Sequence, residues 1–331
     1  DRDHLDRSVD GSLLEQRTTP PHPGHHEGVA GSDLGAVGDE RQIESGRSLR
    51  QGTTNAIGFM IELSADANAS SDDFFMGVFD GVQTVLSRHK LDLVVFPCPA
   101  DQTPVDYLQR IVGRRLVDAM IISATFRHDA RIEFLKKAAI PFIALGRSET
   151  GENLRWIDLD VEGVARQSVD RLVAHGHRRI AIAIPADDIN LGHVFHASYR
   201  AALDRHGIAY APNLVFRQDR IVEGGLEIAA SIAAMADAPT ALILSNDALA
   251  PSLYQGLKSH GKLPGRDIAI IGFRDNPRAR YLIPSLTSHC FSLAELGGAV
   301  AETLHLLIGR LGLGSVHLST QDVAGSTAFR L

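Results

Sequence analysis

Apolar residues along the chain alternate between two spacings. Residues 55–61 form a short apolar run of buried-strand type, and residues 74–88 then place Phe75, Val78, Phe79, Val82 and Leu86 at helical intervals. The pattern continues with a strand over 91–96 closed by Pro97, a helix over 104–115, a strand over 117–122, a helix over 130–138 and a strand over 141–144. It restarts with a helix over 161–174, ended at His175-Gly176, where glycine takes the left-handed cap conformation. A strand over 180–184, a helix over 194–206 ending at Gly207, a strand over 214–216 and a helix over 224–235 follow. Then come a strand over 241–244, a helix over 248–260 and a strand over 268–271. After a loop, residues 293–311 read as a long apolar helix and 316–322 as a last strand. Strands separated by helices of about 10–15 residues predict right-handed crossovers and parallel sheets covered on both faces. Two such series predict an α/β fold of two doubly wound lobes. The carboxyl ends of their strands face a common cleft that opens and closes by hinge bending.

The first fifty residues interrupt this picture. The chain of 331 residues is 44% hydrophobic, yet residues 1–50 hold only 11 apolar residues, no aromatic and no lysine. Ten acids face six arginines there, so the segment carries −4 of the chain's −7 and the remaining 281 residues carry −3. Its middle, Thr18-Thr19-Pro20-Pro21-His22-Pro23-Gly24-His25-His26, breaks helices. So little apolar surface predicts that residues 1–43 stay disordered or loosely held. His22, His25 and His26 have no carboxylate or cysteine arranged around them and read as a solvated loop rather than a metal site.

Other chemistry narrows the class. Cys98 and Cys290 are too few for a disulfide scaffold and lack zinc-ligand spacing, which fits a reducing compartment. No apolar run approaches the roughly 20 residues of a membrane helix, and no basic-then-apolar leader opens the chain, so the expected location is cytoplasmic, without a membrane partner. No Gly-x-Ser-x-Gly elbow, Walker loop or His-Glu-x-x-His occurs, and the glycines of 309–314 follow a helix instead of opening one. Asp72-Asp73 and Asp187-Asp188 read as turn formers and helix caps. No catalytic residue, metal or cofactor is expected.

Several stretches, in one order, resemble the LacI/GalR family of sugar- and purine-responsive transcription regulators. Gly46-Arg47-Ser48-Leu49-Arg50-Gln51-Gly52-Thr53-Thr54-Asn55-Ala56-Ile57-Gly58 is similar to that family's hinge helix running into the first strand. Phe74 to Val82 is similar to its first core helix. Ala174-His175-Gly176-His177-Arg178-Arg179-Ile180-Ala181, Ser245-Asn246-Asp247-Ala248, Ile270-Ile271-Gly272-Phe273-Arg274-Asp275-Asn276-Pro277 and Tyr281 to Thr287 resemble four further signatures. The resemblance covers about residues 46–331. It implies a periplasmic-binding-protein type I core, a homodimer, a small effector between the lobes and operator DNA as partner. It places Leu49 as a minor-groove wedge flanked by Arg47 and Arg50. It divides the chain into a segment over 1–45, a hinge over 46–54, a first lobe over 55–158 plus about 288–313, and a second over 159–287 plus about 314–331.

The resemblance also implies a ligand set. Phe74 and Phe75 open the first core helix, where an aromatic face stacks on a sugar ring, with core packing the competing role for Phe75. Ser123 and Thr125 offer hydroxyls or cap the next helix, and Arg147 offers a forked donor. Asn190 and His193 lie in a loop of the second lobe. Many relatives place an arginine at the slot occupied here by Phe195, with Ser198 at their following glycine. The missing arginine argues against a carboxylate-bearing effector and favours a neutral saccharide. Asn246, Arg274 and Asp275 complete the set, Arg274 standing where many relatives carry an acid. The combination of Phe74-Phe75, Leu145-Gly146-Arg147 and Gly272-Phe273-Arg274-Asp275 is similar to regulators linked to α-glucosides.

Residues 1–43 do not resemble the family's basic helix-turn-helix head. We read them as an out-of-frame or damaged head ahead of an intact core. The competing classes are a periplasmic-type sugar-binding protein and a headless sugar-binding dimer. A net −4 repels phosphate where roughly 6–10 contacts normally carry affinity. The chain is therefore predicted to show no nanomolar operator binding in a gel shift at physiological salt, and such binding would contradict the reading of this segment.

Overall fold

The computed structural model describes residues 53–63, 72–274, 277–310 and 328–330, all within the compact unit Gln51–Leu331. The segment over 1–45, with Arg47, Leu49, Arg50 and the His22 cluster, lies outside the described residues, as do Asp275 and the strand expected over 316–322.

The first lobe runs β1 (Ala56–Glu62), α1 (Asp72–Arg88), β2 (Asp92–Cys98), α2 (Pro104–Gly113), β3 (Ala119–Ser123), α3 (Ala130–Lys137), β4 (Phe142–Leu145) and β5 (Trp156–Ile157). The second runs α4 (Val161–Ala174), β6 (Ile180–Pro185), α5 (Asn190–Arg205), β7 (Val215–Gln218), α6 (Ile221–Ala234), β8 (Ala241–Leu244), α7 (Ala250–Ser259), β9 (Ala269–Phe273) and β10 (Thr287–Cys290). α8 (Leu293–Arg310) returns to lie along α1, and β11 (Ala328–Arg330) pairs antiparallel with β10. The parallel strands order as β2-β1-β3-β4-β5 and β10-β9-β8-β6-β7, so the two lobes share one topology. Each has its switch point beside its first strand, the place where doubly wound sheets bind ligands.

Alternation within the strands explains why both faces are covered. Ile57, Phe59 and Ile121 join one apolar cluster, while Met60, Met120 and Ile122 join another on the opposite face beneath α2 and α3. Ile180, Ile182 and Ile184 face α4 and α5, and Ala181 and Ala183 face α6 and α7. α1 and α8 touch through glycine: a Cβ on Gly81 would stand 2.0 Å from the Ala294 carbonyl oxygen. Helix starts follow local chemistry. Thr103 caps α2 ahead of Pro104, and Asp160 caps α4 by accepting from Gly163 N–H at 2.8 Å. Gly176 and Gly207 take the expected left-handed conformation after α4 and α5, with φ of +89° and +64°.

Four boundaries differ from the sequence reading for physical reasons. β2 continues through Pro97, because β2 is an edge strand. The Cys98 carbonyl accepts from Leu63 N–H, so alternation turns the missing Pro97 N–H to the open side. α5 begins at Asn190, so Asn190 and His193 form a first turn rather than a loop. Its cap is tertiary, the Asn190 N–H reaching the Thr125 carbonyl at 2.9 Å, and leaves no local signal. β10 is too polar to read as a strand because its side chains serve as partners: Ser288 donates to Asp247 at 3.2 Å, and His289 Nε2 lies 2.9 Å from Ser168 Oγ. The return to the first lobe consequently falls after Cys290, not before residue 288.

Burial pushes the His289 imidazole from 6.5 down to about 4, with Arg171 adding to the effect. The folded chain therefore resists a proton that the unfolded chain accepts, and stability falls as pH drops from 6.5 towards 4. At pH 5 this costs about 2 kcal/mol relative to pH 7. Urea denaturation should show His289→Gln losing about 2 kcal/mol less than the parent between those pH values. Equal losses would remove His289 as the cause.

Candidate functional site

The carboxyl ends of strands from both sheets meet at one cavity of about 230 Å³. Glu62 follows from β1, Ser123 to Thr125 from β3, Leu145 to Arg147 from β4, and Asp158 from β5. Pro185 ends β6, Ser245 and Asn246 follow β8, and Arg274 follows β9. Phe74 and Phe75 close the first-lobe side.

The lobes are joined directly beside this cavity. Asn190 N–H donates to the Thr125 carbonyl and Arg127 N–H to the Asp188 carbonyl, both at 2.9 Å, around an antiparallel bridge between Phe126 and Ile189. Asn190 Nδ2 donates to the Arg147 carbonyl at 2.9 Å, and Thr125 Oγ1 donates to the same oxygen at 2.7 Å. Gly146 makes this approach feasible. Its φ is +114°, and a Cβ there would meet Thr125 Oγ1 at 2.7 Å.

Two arginines of the first lobe are held by carboxylates. Arg131, 1% exposed, clamps Asp129 with Nε at 2.9 Å and Nη2 at 2.6 Å, and extends Nη1 to Glu62 at 2.5 Å. Arg147 Nε donates to Asp158 at 2.9 Å, while its two Nη groups grip Glu162. Burial raises the carboxyl pKa of Glu62 and of Asp158 despite these partners. Glu162 is more exposed and falls below its ordinary value, since its bonds to Arg147 outweigh burial.

Arg274, in the second lobe, is different. Its guanidinium lies over the Phe74 ring at 4.7 Å, a contact across the cleft, and over Phe273 at 5.9 Å. Its Nε is shut off from solvent with no hydrogen-bond acceptor among the described residues. Burial lowers its pKa even though Asp247 and Asp158 oppose the shift. Its backbone has φ of +98°, a strained conformation for a non-glycine residue, of the kind that clusters at functional sites.

The structure sorts the sequence-derived ligand set. Phe74, Phe75, Ser123, Thr125, Arg147, Asn246 and Arg274 line the cavity. Phe75 is fixed by the core, stacked on Phe79 and edge-on to Phe59, and Phe74 stands edge-on to Phe75 with one face under Arg274. Arg147 and Asn190 spend their donors inside the protein. Asn190 clasps the lobes rather than lining the cavity. His193 bonds Asp188 at 2.6 Å away from the cavity, and Phe195 is wholly buried against Phe273. Neither reaches the cleft: α5 begins four residues early and turns Phe195 inward. Sequence reasoning missed Glu62, Asp158, Ile189 and Leu191. Glu62 and Asp158 each sit at the end of an apolar run, and that position at a strand's carboxyl edge was a signal available in the sequence.

The geometry defines a class, a two-lobed binding protein with a cavity of mixed polar and apolar lining at the shared strand edge. The comparisons carry the identification further. A family model described as a periplasmic binding protein-like domain matches residues 169–325. The HTH-type transcriptional regulator RafR of Escherichia coli is 30% identical over 272 residues, covering 80% of this chain and 74% of RafR. The ribose operon repressor of Haemophilus influenzae is 26% identical, covering 78% and 76%. A LacI family regulator from Enterococcus faecium, solved with bound ribose, superposes with a TM-score of 0.63 at 28% identity over 78% of this chain and 91% of that one. This chain belongs to the LacI family of transcriptional regulators.

A buried donor left without an acceptor is costly, so Arg274→Met, which removes the Nε donor, is predicted to raise the stability of the ligand-free protein by about 1–2 kcal/mol in urea denaturation. Unchanged or lower stability would show that Arg274 is not strained in the empty cleft.

Proposed function

We propose that this regulator is a cytoplasmic, homodimeric repressor of carbohydrate-use genes, controlled by a small saccharide in the cleft. The observation that carries the reading is the mixture of groups on the cavity wall. Arg274 only donates, the carboxyl groups of Glu62 and Asp158 offer acceptor oxygens, Asn246 does both, and Phe74 supplies an apolar edge. A polyol offers donors, acceptors and CH faces together, whereas a flat purine base leaves a ring of wall groups without partners. Support also comes from the bound ribose of the Enterococcus faecium relative. With Phe195 buried, the wall has no arginine at that slot, and an α-glucoside is the saccharide we favour.

Met76 of α1, with Tyr281 and Ile283 after β9, leaves large apolar side chains exposed by 63%, 86% and 80%. A second copy of the chain is the partner proposed for such surface. The saccharide shifts the equilibrium of lobe angles by binding the closed arrangement better than the open one, and so alters affinity for operator DNA in any form carrying a working head. The acidic composition of residues 1–50 favours a second reading for the chain as it stands, a sugar-binding dimer without operator affinity.

Isothermal titration with maltose, trehalose, sucrose, glucose and purines tests the assignment. One of the glucosides should bind with one site per chain, and Phe74→Ala should weaken it by about 1–2 kcal/mol. Binding of purines alone would refute it.

A further inference from the structure

A second cavity lies at the other end of the second lobe, about 370 Å³ in volume against about 230 Å³ for the cleft. It sits at the amino ends of β9 and β10, since Ala269 to Ile271 and Thr287 belong to its wall. We propose that it is a separate anion site, taking a small molecule that carries a phosphate or carboxylate group.

The wall chemistry supports this. Arg171 and His175 come from the end of α4 and His177 from the turn beyond it, while Tyr254, Ser285 and Thr287 add hydroxyls. The described lining residues include no acid. A helix C-terminus ordinarily disfavours an anion by a modest amount. Here the last-turn carbonyls are already engaged: Arg171 accepts from His175 N–H, Val173 from Gly176 N–H and Leu172 from His177 N–H, at 3.0–3.2 Å. The wall thus offers an anion basic groups and hydroxyls, with no carboxylate among its described lining residues. Tyr254 remains a neutral donor, its phenol pushed up to about 12 by burial. Burial, and then repulsion from His175, lower the His177 pKa, a strain that a bound anion relieves. Gly265 keeps the rim open. Its φ is +79°, and a Cβ there would press on Pro284 at 2.8 Å.

The cavity is not isolated from the cleft. Thr287 in its wall opens β10, and the carbonyl of His289 in the same strand accepts from Arg274 N–H at 3.2 Å. An anion at Thr287 thus bears on the strand that positions the cleft arginine.

Isothermal titration of the full chain with inorganic phosphate, and separately with citrate, tests the site at constant ionic strength against a chloride control. One anion should bind per chain; tighter phosphate assigns a phosphorylated ligand, tighter citrate a carboxylate. Arg171→Gln combined with His177→Gln should weaken binding by at least about tenfold. Ser285→Glu sets a carboxylate at an exposed rim position, puts little folded structure at risk and should weaken binding at least as much. Neither anion binding above the chloride control, or undiminished binding in Ser285→Glu, would overturn the proposal. Because the probes are not saccharides, the result is independent of the saccharide reading of the cleft.

Discussion

The carbonyl oxygen of Arg147 accepts from the Thr125 hydroxyl of its own lobe and from the Asn190 side chain of the other. Much of the cleft depends on that shared acceptor. Arg147 can present its carbonyl there because Gly146 takes a backbone conformation and a proximity that side-chain-bearing residues resist. Its guanidinium is meanwhile anchored by Asp158 and Glu162 on the opposite side. The same segment returns through Asn190 N–H to Thr125, which caps α5 from across the cleft. Each such bond is worth on the order of 1 kcal/mol net, so these contacts between the lobes contribute a few kcal/mol. That is the range in which a ligand can shift the balance between lobe angles.

Charge in the cavity follows an unequal pattern. Arg131 and Arg147 of the first lobe are each held by two carboxylates, whereas Arg274 of the second lobe lies over two aromatic rings on a strained backbone. That cation lies over Phe74 across the cleft and is acted on by the charge of Asp158. A buried donor without an acceptor is costly, and a ligand that accepts from it lowers that cost. Family membership accounts for the two-lobed frame.

Much of the fold was legible in the apolar pattern, because buried parallel strands and amphipathic helices carry strong local signals. α4 and β8 match the expected bounds, and Gly176 and Gly207 mark the ends they predicted. What escaped was set by distant partners. α5 starts at a carbonyl of the other lobe, β10 keeps polar residues for Asp247 and Ser168, and Pro97 is tolerated only because its strand lies at an edge. Within the site, the family resemblance pointed to Phe74, Asn246 and Arg274, which line the cavity, but not to the internal bonds of Arg147 and Asn190 or the burial of Phe195 in the core. The roles of side chains were decided by which neighbours they found, and one sequence does not contain that information.

The amides of Arg127 and Asn190 donate across the cleft and report on its closure directly. Their hydrogen exchange, measured with and without the saccharide that binds, should slow by at least about tenfold on binding while strand amides deep in each sheet stay unchanged. Exchange at these two amides that is indifferent to the bound saccharide would contradict a ligand-driven closure of the lobes.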